Sequence, residues 1–389
     1  MPSSLHPDCG QRIAERWALA VAIFASFFDT FAMLPVLPVY LRGIGAEAWQ
    51  IGLVMSTYSL VGLLTQVAGG YVADTFGRKR PLVASLIGTS VVLGLYGALP
   101  SVWWLASLRV LHGVLGAFSL PALFALIGEQ AGGQRVKAMG YAGATIGLAA
   151  IVAPPIGGIL AQHFGAPVLF ASVAVLMALA ALLVWQFVPE TLVLRAKSKL
   201  PQPLTVLRVP LLVVTYSLTA SFTFCMGTLA YTLPLLLVER GYTTATAGQL
   251  LGWMALVSVP IMALFRRGQP LERALLGLGL IAACLAVLWK LHPLWSLGIA
   301  MGVYGIGFGL VFPALHVLVA EHAPASLRGS AFALLYVFYS AGIIAGPIVA
   351  GFVISFLSPG IVAAATTAAI LLAIAGWRVR ERRMHWVQA

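Results

Sequence analysis

The feature that most constrains this sequence is the recurrence of long apolar runs separated by short polar turns. A helix needs roughly 20 mostly apolar residues, rising about 1.5 Å each, to cross the hydrocarbon of a bilayer. Twelve such spans are predicted, at 17–41, 49–73, 81–99, 102–128, 139–164, 166–188, 209–238, 246–265, 274–290, 294–320, 329–357 and 360–377. Several exceed the minimum, which implies tilt or projection past the lipid. Of the 389 residues 61% are hydrophobic and only 9% charged, against roughly 25% charged in a soluble domain. The short alternating segments of a β-barrel are not seen. The expected fold class is an all-α membrane protein of twelve helices.

The formal charge of +12 reads as topology rather than as a nucleic-acid surface. With the N-terminus in the cytoplasm, the basic turn Arg78-Lys79-Arg80, Arg135, Lys137, the run from Arg195 to Arg208, Arg266, Arg267, Arg273, Arg328 and the C-terminal cluster from Arg378 to Arg383 all fall on the cytoplasmic side, as do Arg12 and Arg16. Only Arg42, Arg240 and Lys290 lie outside, and Arg109 sits within a span. This positive-inside asymmetry predicts that both termini are cytoplasmic. Cys9, Cys225 and Cys284 are isolated and suggest neither disulfide nor metal site. The first apolar run is too long for a cleaved signal. The absence of Asn excludes N-linked glycosylation, and with the short loops it suggests a prokaryotic inner membrane. No P-loop, His-Glu-x-x-His or nucleophile motif is present. Neither an enzyme nor a cofactor is therefore expected.

The chain is expected to be a duplication. Pro121 to Glu129 reads PALFALIGE, and Pro313 to Glu321 reads PALHVLVAE. At nearly the same displacement Arg135 matches Arg328, Pro154 matches Pro347, Gly158 matches Gly351, Pro38 matches Pro234 and Gly52 matches Gly248. Two six-helix bundles follow, residues 1–188 and 209–389, with 189–208 as a cytoplasmic linker. Two similar halves can rock about a central cavity and expose it to each side in turn.

Three motifs carry a family resemblance. Gly70-Tyr-Val-Ala-Asp74-Thr-Phe-Gly77-Arg78-Lys79-Arg80 lies between the second and third spans. Arg109-Val-Leu-His112-Gly113-Val-Leu-Gly116 lies in the fourth. The fifth holds Gly143, Gly147 and Ala153-Pro154-Pro155-Ile156-Gly157-Gly158. The sequence resembles the major facilitator superfamily along essentially its whole length, and in particular the twelve-helix drug–proton antiporters. Ala153 stands where those exporters usually carry Gly. The resemblance implies alternating access, a gate at Gly70, Asp74, Gly77, Arg78 and Lys79, and a part for Arg109 in proton transfer. Physically, Asp74 can face the positive N-terminal end of the eleventh span just after Arg328, and Arg78 can pair with Asp74 or Glu129. The small residues and paired prolines of the fifth span permit close packing and a bend.

Asp29 is the sole acid predicted deep in a span. A charge at the bilayer centre costs at least roughly 2.5–3.5 kcal/mol, so it must face a cavity or a partner. Arg109 lies at similar depth, so that it can pair with Asp29 and tune it, and His112, three residues on along the same helical face, can assist. These three are the expected proton-coupling residues. The equivalent positions of the second half are Cys225 and Met301, so coupling is confined to the first. Tyr304, Phe308, Phe312 and His316 form an i, i+4 ladder in the tenth span, and Phe332, Tyr336 and Tyr339 a stripe in the eleventh. With Gln66 and Tyr231, these are the substrate-binding candidates, suited to stacking and cation–π contact. The expected function is proton-coupled efflux of amphipathic small molecules or drugs by a monomer whose partners are substrate, protons and lipid. The alternatives are a sugar or organic-anion carrier that uses Arg109 as the anion ligand, and a non-transporting membrane sensor or scaffold.

Overall fold

The computed structural model describes residues 9–130, 134–190, 203–264 and 268–388, with side chains except at 9–12, 66–76, 203–204, 326 and 377–388. Among these residues no strand occurs. The first half holds α1 (Cys9–Met33), α2 (Leu37–Gly43), α3 (Ala48–Phe76), α4 (Lys79–Leu95), α5 (Val102–Gln130), α6 (Arg135–Phe164) and α7 (Ala166–Phe187). The second holds α8 (Pro203–Val206), α9 (Pro210–Glu239), α10 (Thr244–Leu264), α11 (Pro270–Leu288), α12 (Leu294–His322), α13 (Arg328–Val353) and α14 (Pro359–Gln388). Most of the expected linker, 191–202, lies outside the described residues.

Eleven of the described helices are long and apolar enough to cross a membrane. The twelfth expected span is α4, whose 17 residues are slightly short. The first expected span, 17–41, is two helices. A turn at residues 34–36 separates α1 from α2, which carries Pro38 in its first turn. Proline lacks the N–H that would continue the ladder, but suits the start of a new helix.

Helix packing repeats between the two halves. In the first, α3 and α4 each pack on α5, α4 on α7, and α1 on both α6 and α7. In the second, α10 and α11 each pack on α12, α11 on α14, and α9 on both α13 and α14. One hydrophobic core is built mainly from α1 to α7, and another from α9 to α14. The principal contacts between the halves are α3 with α13 and α6 with α10, a pair that exchanges under the same correspondence.

The residues that match between repeats are those that touch across this seam. A Cβ on Gly52 would collide with the Pro347 carbonyl, and one on Gly248 with the Pro154 carbonyl. Gly158 lies against Thr244, and Gly351 against Ala48. Ser56 donates to the Ile344 carbonyl at 2.7 Å, and Tyr231 to the Ala48 carbonyl at 3.0 Å. Arg42 and Glu239 form an exposed ion pair at 2.5 Å. All of these contacts lie toward the end of the bundle remote from the chain termini. Along α6 the seam then loosens. A Cβ on Gly252 would lie 2.6 Å from Pro155, one on Gly147 would lie 3.6 Å from Val259, and Gly143 and Gly140 have nothing within 4 Å. On the α6–α10 side the halves are joined at the far end and part toward the end that carries the termini.

Candidate functional site

The site is assembled where α1, α3, α4 and α5 converge. The motif in α5 explains the convergence. Added Cβ atoms on Gly113 and Gly116 would each come within 2.7 Å of Tyr58 atoms. Glycine at both positions lets α3 lie close to α5 and brings Met55 and Tyr58 onto Arg109 and His112.

Asp29 and His112 are each 2% exposed. Asp29 Oδ2 meets His112 Nε2 at 2.9 Å, and the Tyr96 hydroxyl meets His112 Nδ1 at 2.8 Å. The Tyr58 ring stands edge-on to the imidazole, with centroids 4.8 Å apart. Arg109 donates from a terminal nitrogen to the Met55 carbonyl at 3.2 Å, and its guanidinium lies 5.0 Å from the Tyr58 ring centroid. The acid's direct partner is thus His112, where sequence reasoning gave the larger part to Arg109. Asp29 Oδ1 and Arg109 Nε are both buried without a hydrogen-bond partner. One cluster therefore contains an unused acceptor and an unused donor.

The hydrogen-bond roles in this arrangement are interchangeable. With neutral His112, Nε2–H donates to Asp29 and Nδ1 accepts from Tyr96. With His112 protonated, Nδ1–H donates instead and the Tyr96 hydroxyl turns to accept. A hydroxyl performs either role, so both contacts of the imidazole are kept whichever way its protons are placed. Charge in such a buried place is tolerated only when paired.

The basic turn has its own organisation. Gly77 has φ 87°, a conformation that suits glycine, and α4 begins just after it. Glu190 Oε1 accepts from the backbone N–H groups of Arg78 at 2.8 Å and Lys79 at 3.0 Å, and Oε2 from Arg80 at 3.2 Å. The carboxylate caps the orphan donors of α4 and opposes its positive end. Sequence reasoning missed Glu190. Its signal is an acid directly after the sixth span, on the same membrane side as the basic turn. Arg78 forms an ion pair with Glu129 of α5, so this cluster ties helices of the first half together. Arg328 is exposed at the first residue of α13. Gly70, Asp74 and Gln66 lie in α3, with side chains outside the described set.

The small residues of α6 divide by role. Pro154, Pro155 and Gly158 meet α10, Gly157 meets Ala32 of α1, and Gly143 and Gly147 lie toward the parted end. The aromatic candidates also divide. Phe308 and Phe312 stack with centroids 5.9 Å apart, and Phe312 lies 4.6 Å from His316. His316 then reaches Tyr336 of α13 at 6.1 Å, while its Nδ1–H donates to the Phe312 carbonyl at 2.8 Å. Tyr336 is half exposed and Tyr339 partly buried. Tyr304 and Tyr231 are wholly buried, Tyr231 being engaged in the seam. The structure brings together Asp29, Arg109 and His112, and separately joins Phe308, Phe312, His316 and Tyr336.

The sequence matches the family model described as Major Facilitator Superfamily over residues 19–269 and 266–389. It is 25% identical over 349 residues to the "Multi-drug resistance efflux pump PmrA" of Streptococcus pneumoniae serotype 4, covering 85% of this chain and 87% of that one. It is 29% identical over 342 residues to the "Multidrug resistance protein MdtG" of Enterobacter lignolyticus, covering 82% and 80%. Among solved structures it resembles the nucleoside transporter NupG, with a TM-score of 0.80 at 13% identity over 93% of this chain and 99% of that one. A bacterial homologue of the human lysosomal transporter Spinster, inward-facing and unoccupied, gives a TM-score of 0.76 at 16% identity, covering 94% and 93%.

Proposed function

Since this chain belongs to the major facilitator superfamily, we propose that it is a proton-coupled exporter of amphipathic small molecules, working by alternating access. The observation that carries the reading is the buried Asp29–His112–Tyr96 hydrogen-bonded chain, whose carboxyl and imidazole support a role in carrying the coupling proton. The names of the curated relatives support efflux of drugs. Residues 1–188 and 209–389 act as the two moving bodies. The basic segments cluster on the side of the termini, which supports a cytoplasmic location for both termini in a prokaryotic inner membrane. On that reading the halves are parted toward the cytoplasm.

In the mechanism, Asp29 and His112 share the coupling proton. When α1 and α5 shift, the unused Asp29 Oδ1 meets the unused Arg109 Nε, and Asp29 exchanges an imidazole for a guanidinium. In the proposed cycle this exchange of partners is the step at which the proton is released. Substrate occupies the space beside Phe308, Phe312, His316, Tyr336 and Tyr339. One charge moving through 100 mV supplies about 2.3 kcal/mol, which sustains a gradient of nearly fiftyfold.

The test is proton flux in energised everted vesicles, challenged with amphipathic cations, sugars and organic anions, comparing wild type with Asp29→Asn. A compound that dissipates the proton gradient in wild type alone supports antiport and names the substrate class. Labelled substrate crossing equally in both proteins, with no proton movement, overturns the coupling role of Asp29. Absence of all flux favours the sensor reading.

A further inference from the structure

The geometry points to a binding site for an anionic phospholipid, in the crevice between the terminal ends of α1 and α6. The crevice encloses about 570 Å³, within the range of ligand sites. Its walls are apolar, with Leu19 and Ile23 from α1 and Leu148 from α6, and Ile127 of α5 contributes to the lining. Gln130, also from the end of α5, contributes an amide whose oxygen and nitrogen are both buried without a partner. Buried polar groups are almost always hydrogen-bonded, so this amide offers a donor and an acceptor to an ester or glycerol oxygen.

The rim has the chemistry of a headgroup level. Arg16 and Lys137 both line the crevice and are exposed. Beside them Trp17 is 69% exposed and Tyr141 64%, and the Lys137 ammonium lies 5.9 Å from the Tyr141 ring centroid. Tryptophan and tyrosine favour the membrane–water interface, and basic side chains attract anionic lipid. The crevice also faces the membrane. Tyr141, Leu148, Ile156 and Ile159 are exposed along the length of α6, past the level at which the halves close on each other. A face open over that whole length looks to lipid rather than to the space between the halves.

A second crevice provides an internal contrast. Between α4 and α7 lies a space of about 460 Å³ that includes Val91 and Trp185 and has no charged side chain in its lining. It can take an acyl chain, but has no cation with which to choose a headgroup. Selectivity is therefore specific to the α1–α6 crevice, whose occupant touches both the helix bearing Asp29 and the helix bearing half of the seam.

The test is native mass spectrometry of the purified full-length protein, titrated separately with phosphatidylglycerol, phosphatidylcholine and dodecanoate. Wild type should retain one phosphatidylglycerol in preference to phosphatidylcholine. The double variant Arg16→Ala/Lys137→Ala should weaken that binding roughly thirtyfold, while Arg208→Ala leaves it unchanged. Equal retention of the two lipids by wild type, or undiminished phosphatidylglycerol on the double variant, overturns the site. Dodecanoate saturating at the same concentration overturns the assignment to a membrane lipid and makes this a site for free anions. Brominated phosphatidylglycerol gives an independent reading in a protein of unaltered charge. It should quench a fluorescence component of wild type that Trp17→Phe lacks, and equal quenching in both counts against the site.

Discussion

Asp29 and His112 are partners, yet their loss should not be equivalent. Asp29→Asn preserves shape and removes the titrating group, so the protein should fold and lose proton coupling. His112→Ala instead leaves the buried Asp29 side chain without its hydrogen-bond partner, and an unsatisfied buried polar group costs about 1–3 kcal/mol. Thermal unfolding in detergent should show His112→Ala as the least stable, with Asp29→Asn/His112→Ala recovering most of the loss. Equal stability of the two single variants would remove the Asp29–His112 contact from the account. Asp29 was legible in the sequence because an acid in an apolar span needs a reason. Its choice of partner was not, because that depends on the rotation of α1 against α5, and Arg109 and His112 share a helical face. Glu190 was less legible still: it caps donors 110–112 residues away, and its place just after the sixth span marks a side of the membrane but not a partner. Replacing it with Ala leaves three N–H groups at the start of α4 without that acceptor. Such caps are typically worth about 1 kcal/mol, so Glu190→Ala should melt lower than wild type, with Glu190→Gln in between.

At the scale of helices, the seam rests on backbone meeting backbone. Gly248→Ala puts a methyl group into the Pro154 carbonyl, and neither side has a flexible chain that can yield. The far end should therefore open. Spin labels at Glu47 and Tyr242, one in each half, should show a longer distance distribution in Gly248→Ala than in wild type. An unchanged distribution means that the seam does not govern closure. The glycine and proline matches between repeats were legible as evidence of duplication. That the same residues dock on each other was not, because similarity between two segments carries no information about which surfaces meet. The break between α1 and α2 was written in Pro35 and Pro38, but apolar character continues through it and masks the interruption. The short α4 has the opposite cause: hydropathy extends past Leu95, while the helix stops and turns.

The whole molecule makes a directional prediction. In a Cys9→Ser background, where Cys225 and Cys284 are buried, a cysteine at Gly143 should react with an impermeant maleimide in everted vesicles and resist it in intact cells. Labelling of intact cells alone would place the parted end outside. The exposed Arg42–Glu239 pair closes the far end from the surface, but such pairs contribute only about 0.2–1 kcal/mol. Glu239→Gln should therefore shift the balance of states by at most roughly fivefold, less in high salt, which the same spin-label distances would register. A proton moving through 100 mV carries more than twice that energy, so the pair biases the resting state without locking it. The two-bundle plan was legible throughout, because bilayer thickness and charge asymmetry act on every span alike. Cavity shape was not, because it is set by tilts and rotations that no single span specifies. The seam has one more consequence, for the way such a protein changes over generations. A joint of glycines on carbonyls holds no memory of the cargo. Substitutions elsewhere in the bundle can reshape the interior while the joint goes on fitting, so this architecture can be refitted without the invention of a new machine.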